Sequence, residues 1–205
     1  MNSPLESLDR YFCSWSGGKD ACLALYRVWL KSGKPYRLLT TIDEDGLRTR
    51  GHGVPVPLLH QQAAAMDVPL LTLPTSWDDY EENFRAVLRS LASEGVTAGV
   101  FGDIDLVPHR EWVERVCESE GMRAILPLWE EERAGLINEF LNSGFRAVIC
   151  AVDESRLDPS FVGRELEPSL LPELEDAGVD LCGEEGEYHT FVTGGPLLSH
   201  EIIMA

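Results

Sequence analysis

The sequence predicts an α/β protein: a parallel sheet covered by helices on both faces, followed by a smaller C-terminal α+β lobe. Three observations carry that expectation. Short apolar runs alternate with stretches of helical period from Tyr11 to Glu120, the rhythm of successive β–α units. The first strand passes into its helix through Ser16-Gly17-Gly18-Lys19-Asp20, a glycine turn of the kind that seats an anion. After Met122 the rhythm changes, and the chain becomes mixed and ends acidic and glycine-rich. The expected division is residues 1–125 and 126–205, packed together because no Pro/Ser-rich linker separates them.

Tyr11–Ser14 reads as the first strand and Asp20–Leu30 as the first helix, with Ala21, Leu23, Ala24, Leu25, Val28 and Leu30 at its apolar positions. Gly33 and Pro35 stop it. Tyr36–Ile42 is a β-rich second strand that ends in an acidic turn, Asp43-Glu44-Asp45-Gly46. Leu47–Val54 has no period and reads as a loop at the carboxyl edge of the sheet, where open α/β folds bind ligands. Helical spacing resumes over Pro57–Met66, and Val68–Leu73 is a short buried strand. Trp77–Glu94 is an amphipathic helix with Tyr80, Phe84, Val87, Leu88 and Leu91 on one face. Val96–Phe101 is the next strand and Pro108–Glu120 the next helix. Ala124–Trp129 is apolar, Glu130–Leu141 helical, Phe145–Val152 a strand, Asp153–Glu167 a polar loop and Pro168–Gly178 a helix. No regular element is assigned after Val179. Trp77, Trp112 and Trp129 are expected in the core.

The turn at residues 16–20 carries the chemistry. Its glycines let the backbone approach a ligand, and the following helix presents unpaired N–H groups and the positive end of its dipole. Lys19 adds a mobile positive charge, Ser14 and Ser16 add hydroxyls, and Asp20 is placed to hold a Mg²⁺ that bridges phosphates. The spacing is too short for a Walker A loop. The bland alternative is an ordinary β–α turn with a solvated lysine.

Two further clusters stand out. In Gly183-Glu184-Glu185-Gly186-Glu187, three carboxylates crowd into four residues, which calls for positive charge among them. A metal, an amine or a basic segment such as Arg48–His52 would supply it; an exposed acidic turn is the alternative. Gly102-Asp103-Ile104-Asp105 stands at the carboxyl end of a strand. Asp103 either orients a ribose or amine there or caps the following helix, and Asp105 is expected only to cap. The five histidines, His52, His60, His109, His189 and His200, have no ligand-like spacing.

The formal net charge is −18, a surface that repels nucleic-acid phosphate and anionic membranes. Five cysteines form no Cys-x-x-Cys pair, which fits reduced, buried thiols in a cytoplasmic protein. Met1–Arg10 is polar and unlike a signal peptide, and no apolar run reaches the ~20 residues of a membrane span.

Ser16–Asp20 after a first strand resembles the PP-loop of ATP pyrophosphatases. The ordered set Ser16–Asp20, Gly102-Asp103-Ile104, Pro127-Leu128-Trp129 and Gly183–Thr190 resembles, more specifically, the diphthine–ammonia ligase family, over Tyr11 to Pro196. The resemblance implies an adenine nucleotide α-hydrolase-like fold and ATP with Mg²⁺ as cofactors. The carboxylate of diphthine, on elongation factor 2, would be adenylated with loss of pyrophosphate, and ammonia would displace AMP. By the same resemblance Ser14, Ser16, Gly17, Gly18, Lys19 and Asp103 bind the nucleotide and Asp20 the metal. Gly183, Glu184, Gly186, Glu187, Tyr188 and Thr190 line the acceptor or ammonia side, and Lys19, Asp20, Glu184 and Glu187 carry the catalysis. Three residues depart from the family pattern: Ala21 replaces a serine, Glu185 a glycine and His189 a glutamate. Ala21 removes one hydroxyl near the phosphates, whereas Glu185 and His189 put the acceptor in question more than ATP use; another small carboxylic acid is the alternative, above all in a bacterial source. A tRNA-modifying relative would have a basic face and paired cysteines, and a non-catalytic nucleotide-binding module would leave Glu184–Tyr188 idle. Homodimerisation stays open.

Overall fold

The computed structural model describes residues 7–50 and 53–204. Residues 1–6 of the polar N-terminal stretch, and Gly51 and His52 of the basic segment, lie outside the described residues. The elements in chain order are β1 (Tyr11–Ser14), α1 (Lys19–Ser32), β2 (Arg37–Ile42), α2 (Val56–Met66), β3 (Leu70–Pro74), α3 (Tyr80–Ser93), β4 (Ala98–Val100), α4 (Val107–Ser119), β5 (Arg123–Ile125), α5 (Arg133–Asn142), β6 (Arg146–Val152), α6 (Leu171–Asp176) and β7 (Tyr188–Gly194).

The first five strands form a parallel sheet in the order β3-β2-β1-β4-β5. The chain builds outward from β1 to β3, returns through α3, and adds β4 on the other side of β1. Strand order therefore reverses between β1 and β4, and the crevice at their carboxyl ends is where such sheets bind ligands. The loops that leave those two ends are residues 15–18 and 101–106.

The pleat of β1 divides the core. Tyr11 and Cys13 join one apolar cluster, and Phe12 between them joins another, as the two-residue period of a strand requires. On the Phe12 side lie Phe84, Leu88 and Leu91 of α3 and Val113 and Val116 of α4. Their spacing of three to four residues makes one apolar face on each helix. On the other side α1 and α2 pack with α5, β6 and β7 in a single cluster, so the C-terminal segment is joined to the sheet by core rather than by a flexible connection.

β6 and β7 pair antiparallel, with Ala147 opposite Val192 and Ile149 opposite Thr190. β7 is a strand in the stretch after Val179, whose sequence reads only as glycine-rich and acidic. Its Tyr188, Thr190, Phe191 and Val192 are buried and have strand-forming side chains, but the acidic glycine run before them masks the signal. Trp77 corrects the expectation of a core position. It is 70 % exposed, stacked on Tyr80 at 5.7 Å, with the Arg50 guanidinium 4.8 Å from its ring. Trp129 is buried. All five cysteines are free. No described helix is long and apolar enough to cross a membrane.

Candidate active site

The loop between β1 and α1 is held from three sides. Gly17 has φ +82°, and a Cβ there would lie 2.7 Å from Leu59 Cδ2, so only glycine suits the position. Gly18 caps α1 without a side-chain bond; its amide donates to Ser16 Oγ at 3.2 Å. β7 closes the far side: Val192 N–H donates to Gly17 O at 2.9 Å, and Lys19 N–H to Thr190 Oγ1 at 3.1 Å. Gln62 of α2 is fully buried. It donates to Gly17 O and Val192 O at 3.1 and 2.7 Å and accepts from Trp15 Nε1 at 2.9 Å. Sequence reasoning missed this splint, because a glutamine in an amphipathic helix reads as a solvent-facing residue.

Lys19 is not a mobile surface charge. It is 4 % exposed; its ammonium donates to Asp20 Oδ2 at 2.7 Å and to the Cys182 carbonyl. Burial pulls its pKa down, but the charge and hydrogen bond of Asp20, together with Tyr188 and Cys182 beside it, outweigh burial, and the lysine stays protonated. Burial also raises the pKa of Asp20, against the pull of Lys19.

A cavity of about 300 Å³ opens beside this pair. It brings together Ser14, Ser16, Lys19 and Asp20 from the end of β1, its loop and the start of α1, Gly102 and Asp103 from the β4–α4 loop, and Cys182, Gly183, Glu184, Gly186, Tyr188 and Thr190 from the segment before β7 and its first residues. Three stretches distant in sequence thus share one space. Gly102 makes this possible, since a Cβ on it would meet Ala21 N at 2.7 Å and the Asp20 carbonyl carbon at 2.8 Å. Asp103 does not cap α4, whose N-cap is Leu106 without a side-chain bond. It pairs instead with His109 Nδ1 at 3.3 Å. Asp105 binds Arg133 twice at 2.8 Å, which ties this loop to α5 instead of capping. Residues that sequence reasoning did not place here are His109 and Leu106. His189, within the expected run, also lines the cavity; burial lowers its pKa and favours its neutral form. A second cavity, about 310 Å³, shares Ser14, Asp103 and His109 and is walled by Trp77, Tyr80, Phe84, Phe101 and Trp112.

The acidic run is relieved by Arg156 and by backbone amides. Arg156 reaches Glu185 at 2.8 Å and Glu187 at 3.2 Å, whereas Arg48 turns away to Gly53 O at 2.7 Å. Glu187 is 1 % exposed and is not among the cavity's lining residues. Its two oxygens accept from the amides of Asp180 and Glu185, each at 3.1 Å. Asp180 in turn accepts from the amides of Cys182 and Glu184 at 3.1 and 2.9 Å. Glu187 and Asp180 thus brace the turn that presents Glu184. Glu187→Ala leaves two part-buried amides without this acceptor, and a fall in stability of about 1–3 kcal/mol is expected by urea unfolding. A change below about 0.5 kcal/mol would mean the turn does not depend on it.

Glu184 faces the cavity, and burial, with Asp20 adding to it, pushes its carboxyl up to about 7. Because that lies above the ordinary glutamate value, the folded state holds its proton more tightly than the unfolded chain. The contribution is complete below about pH 4.5 and lost as pH rises through about 7. Glu184→Gln is therefore expected to be as stable as the unaltered protein at pH 4.5 and about 2 kcal/mol more stable at pH 8, after allowance for partial exposure. Unfolding at the two pH values checks this; equal stability at both removes the buried-carboxylate account.

Fold and site together define the class: an α/β enzyme whose cavity sits at the switch point of a parallel sheet. Residues 10–124 match the model of the diphthamide synthase N-terminal domain, and residues 132–204 that of the C-terminal domain. The chain is 33 % identical to diphthine–ammonia ligase from Rattus norvegicus over 92 % of its own length and 80 % of the relative's. It is 27 % identical to the enzyme of that name from Danio rerio, over 92 % and 84 %. A solved structure described as the predicted subunit of tRNA methyltransferase from Methanocaldococcus jannaschii superposes with a TM-score of 0.52 at 18 % identity, over 95 % of this chain and all of that one; this likeness concerns the fold. The chain belongs to the diphthamide synthase family, and it is an enzyme of the ligase class.

Proposed function

We propose that the chain is an ATP-dependent amidoligase that adenylates a carboxylate and passes the acyl group to ammonia, releasing AMP and pyrophosphate. The observation that carries this reading is that Ser14, Ser16 and Asp20, Gly102 and Asp103, and residues 182–184, 186 and 188–190 line one cavity together with Lys19, a buried, charged lysine. In it residues 1–125 bind the nucleotide and residues 126–205 supply the acceptor side, in a cytoplasmic protein. The phosphates lie along Ser14, Ser16, Gly17, Gly18 and Lys19, the ribose near Asp103, and the base in the aromatic cavity, whose rings offer stacking surfaces.

Among the described residues, no group of three or more His, Cys, Asp or Glu side chains is arranged to hold a metal by itself. The oxygen donor Asp20 at the cavity wall fits Mg²⁺, which is commonly held by one or two carboxylates together with substrate phosphates. When bound, Mg²⁺ would neutralise phosphate charge.

An acceptor carboxylate oxygen forms a bond to the α-phosphorus while the bond to the β-phosphate oxygen breaks. Lys19 is fixed where negative charge grows as pyrophosphate leaves. Ammonia nitrogen then bonds to the acyl carbon, and the C–O bond to AMP breaks. Glu184 attracts the ammonium ion, Tyr188 and Thr190 shape the acceptor side, and Glu187 acts through the turn that carries Glu184. The relatives' name points to diphthine as the acceptor; the family resemblance adds that diphthine is carried on elongation factor 2.

Phosphorus NMR of the protein with ATP, Mg²⁺ and ammonium tests the reading. AMP and pyrophosphate are expected when diphthine-bearing elongation factor is added. Their appearance only with a dialysable cell extract would replace diphthine by a small carboxylic acid. ADP and phosphate, or no cleavage with any acceptor, would overturn the mechanism.

A further inference from the structure

His109 occupies an unusual position for a residue outside every sequence cluster. It stands in the first turn of α4 and lines both cavities. Its Nδ1 lies 3.3 Å from Asp103 Oδ1, and its side chain is 64 % exposed, against 21 % for Asp103. A carboxylate that accepts from Nδ1–H fixes the neutral tautomer and leaves the lone pair on Nε2, the arrangement that prepares an imidazole as a base. The other groups acting on it are few. Glu184 exerts charge on it from the loop before β7, and Tyr80 of α3 lines the second cavity with it. Arg110, its neighbour on α4, is engaged with Glu114 at 2.7 Å. Asp103 raises the pKa of His109, against the effect of partial burial.

We propose that His109, oriented by Asp103, accepts the proton of the incoming ammonium in the amide-forming step; this rests on the ligase reading above. Ammonium is attracted by Glu184 and Asp103 and reaches the exposed imidazole from solvent. One N–H bond of the ammonium breaks as Nε2–H forms. The freed lone pair of ammonia makes the C–N bond to the acyl carbon, while the C–O bond to AMP breaks with its electron pair on the phosphate oxygen. The new nitrogen, still bearing three hydrogens, releases one proton to water, and the amide is neutral. His109 is thus a catalytic residue and Asp103 a positioning residue for it.

The test separates the two half-reactions in the 205-residue chain. ATP–pyrophosphate exchange with acceptor and no amine reports adenylation, and amide release reports transfer. His109→Gln is expected to slow ammonia-dependent transfer by about 100-fold and exchange by less than tenfold. The pH profile of kcat/KM for ammonia should lose the ionisation that the unaltered enzyme shows. Hydroxylamine, largely neutral at pH 7, should restore transfer in the variant, because it brings no proton to remove. Asp103→Asn should shift the lost ionisation to lower pH rather than erase it. Exchange and transfer falling together without rescue by hydroxylamine would place His109 at the phosphates or in the fold, and the proposal would fail while the ligase reading stood. Absence of AMP formation by the unaltered protein would overturn both.

Discussion

Lys19→Ala is expected to slow formation of AMP and pyrophosphate by about 100- to 1,000-fold, with the fold retained. The ammonium is buried against Asp20 and the Cys182 carbonyl, so its charge is undiluted by water and already oriented when phosphate arrives. A fixed charge directed at the place where charge develops is typically worth ~3–4 kcal/mol of barrier. Lys19→Arg should not restore the rate, because a planar fork cannot replace a compact ammonium in so closed a position. Removing the cation leaves the half-buried Asp20 near Asp180 and Glu184 without its partner, so a stability loss of about 1–2 kcal/mol accompanies the change. Pyrophosphate release at a temperature where circular dichroism confirms folding is the measurement. A rate within tenfold of the unaltered protein would take Lys19 out of the reaction.

Gly102→Ala is expected to cost about 2–3 kcal/mol of stability and to reduce activity by at least about 100-fold. The added methyl would meet the backbone of Asp20 and Ala21 at 2.7–2.8 Å, and the first turn of a helix cannot yield as a flexible side chain can. The β4–α4 loop must move away, carrying Asp103 and His109 with it. Gly135 provides the contrast. It lies inside α5, and a methyl added there would have no atom within 4 Å, so Gly135→Ala should stabilise the protein by about 0.5–1 kcal/mol. Paired thermal unfolding curves check both signs. Equal behaviour of the two variants would mean that the loop at Gly102 is not held close to α1.

The parallel sheet was legible because its elements carry their own period. Phe84, Leu88 and Leu91 announce α3, and the alternation of Tyr11, Phe12 and Cys13 announces a strand between two cores. The loop at residues 16–20 was legible for a different reason: two glycines, a lysine and an aspartate between a strand and a helix are a local device that works through nearby backbone. Gly102, Asp103 and Glu184 also stood out, and all of them line one cavity. What did not stand out was what each group touches. Glu187 and Glu184 look alike in sequence, yet one is consumed by backbone amides and the other faces the cavity. His109 has no sequence partner at ligand-like spacing, because its partner Asp103 reaches it from the loop across the start of α4. Trp77 has a core side chain but lies at the helix entrance, where its ring is shared with Arg50 and Tyr80 instead of being enclosed.

The sequence by itself determined the succession of strands and helices, the glycine–lysine turn, the acidic character and the family, since each depends on period, composition or order along the chain. Only the tertiary structure decided that Thr190, Gln62 and Val192 brace the loop, that Arg156 rather than Arg48 balances the acidic turn, and that His109 stands between two cavities. Those are contacts between residues up to 171 positions apart. The strand order that brings them together is selected by the joint burial of both core clusters, a property of the whole chain that no short window carries.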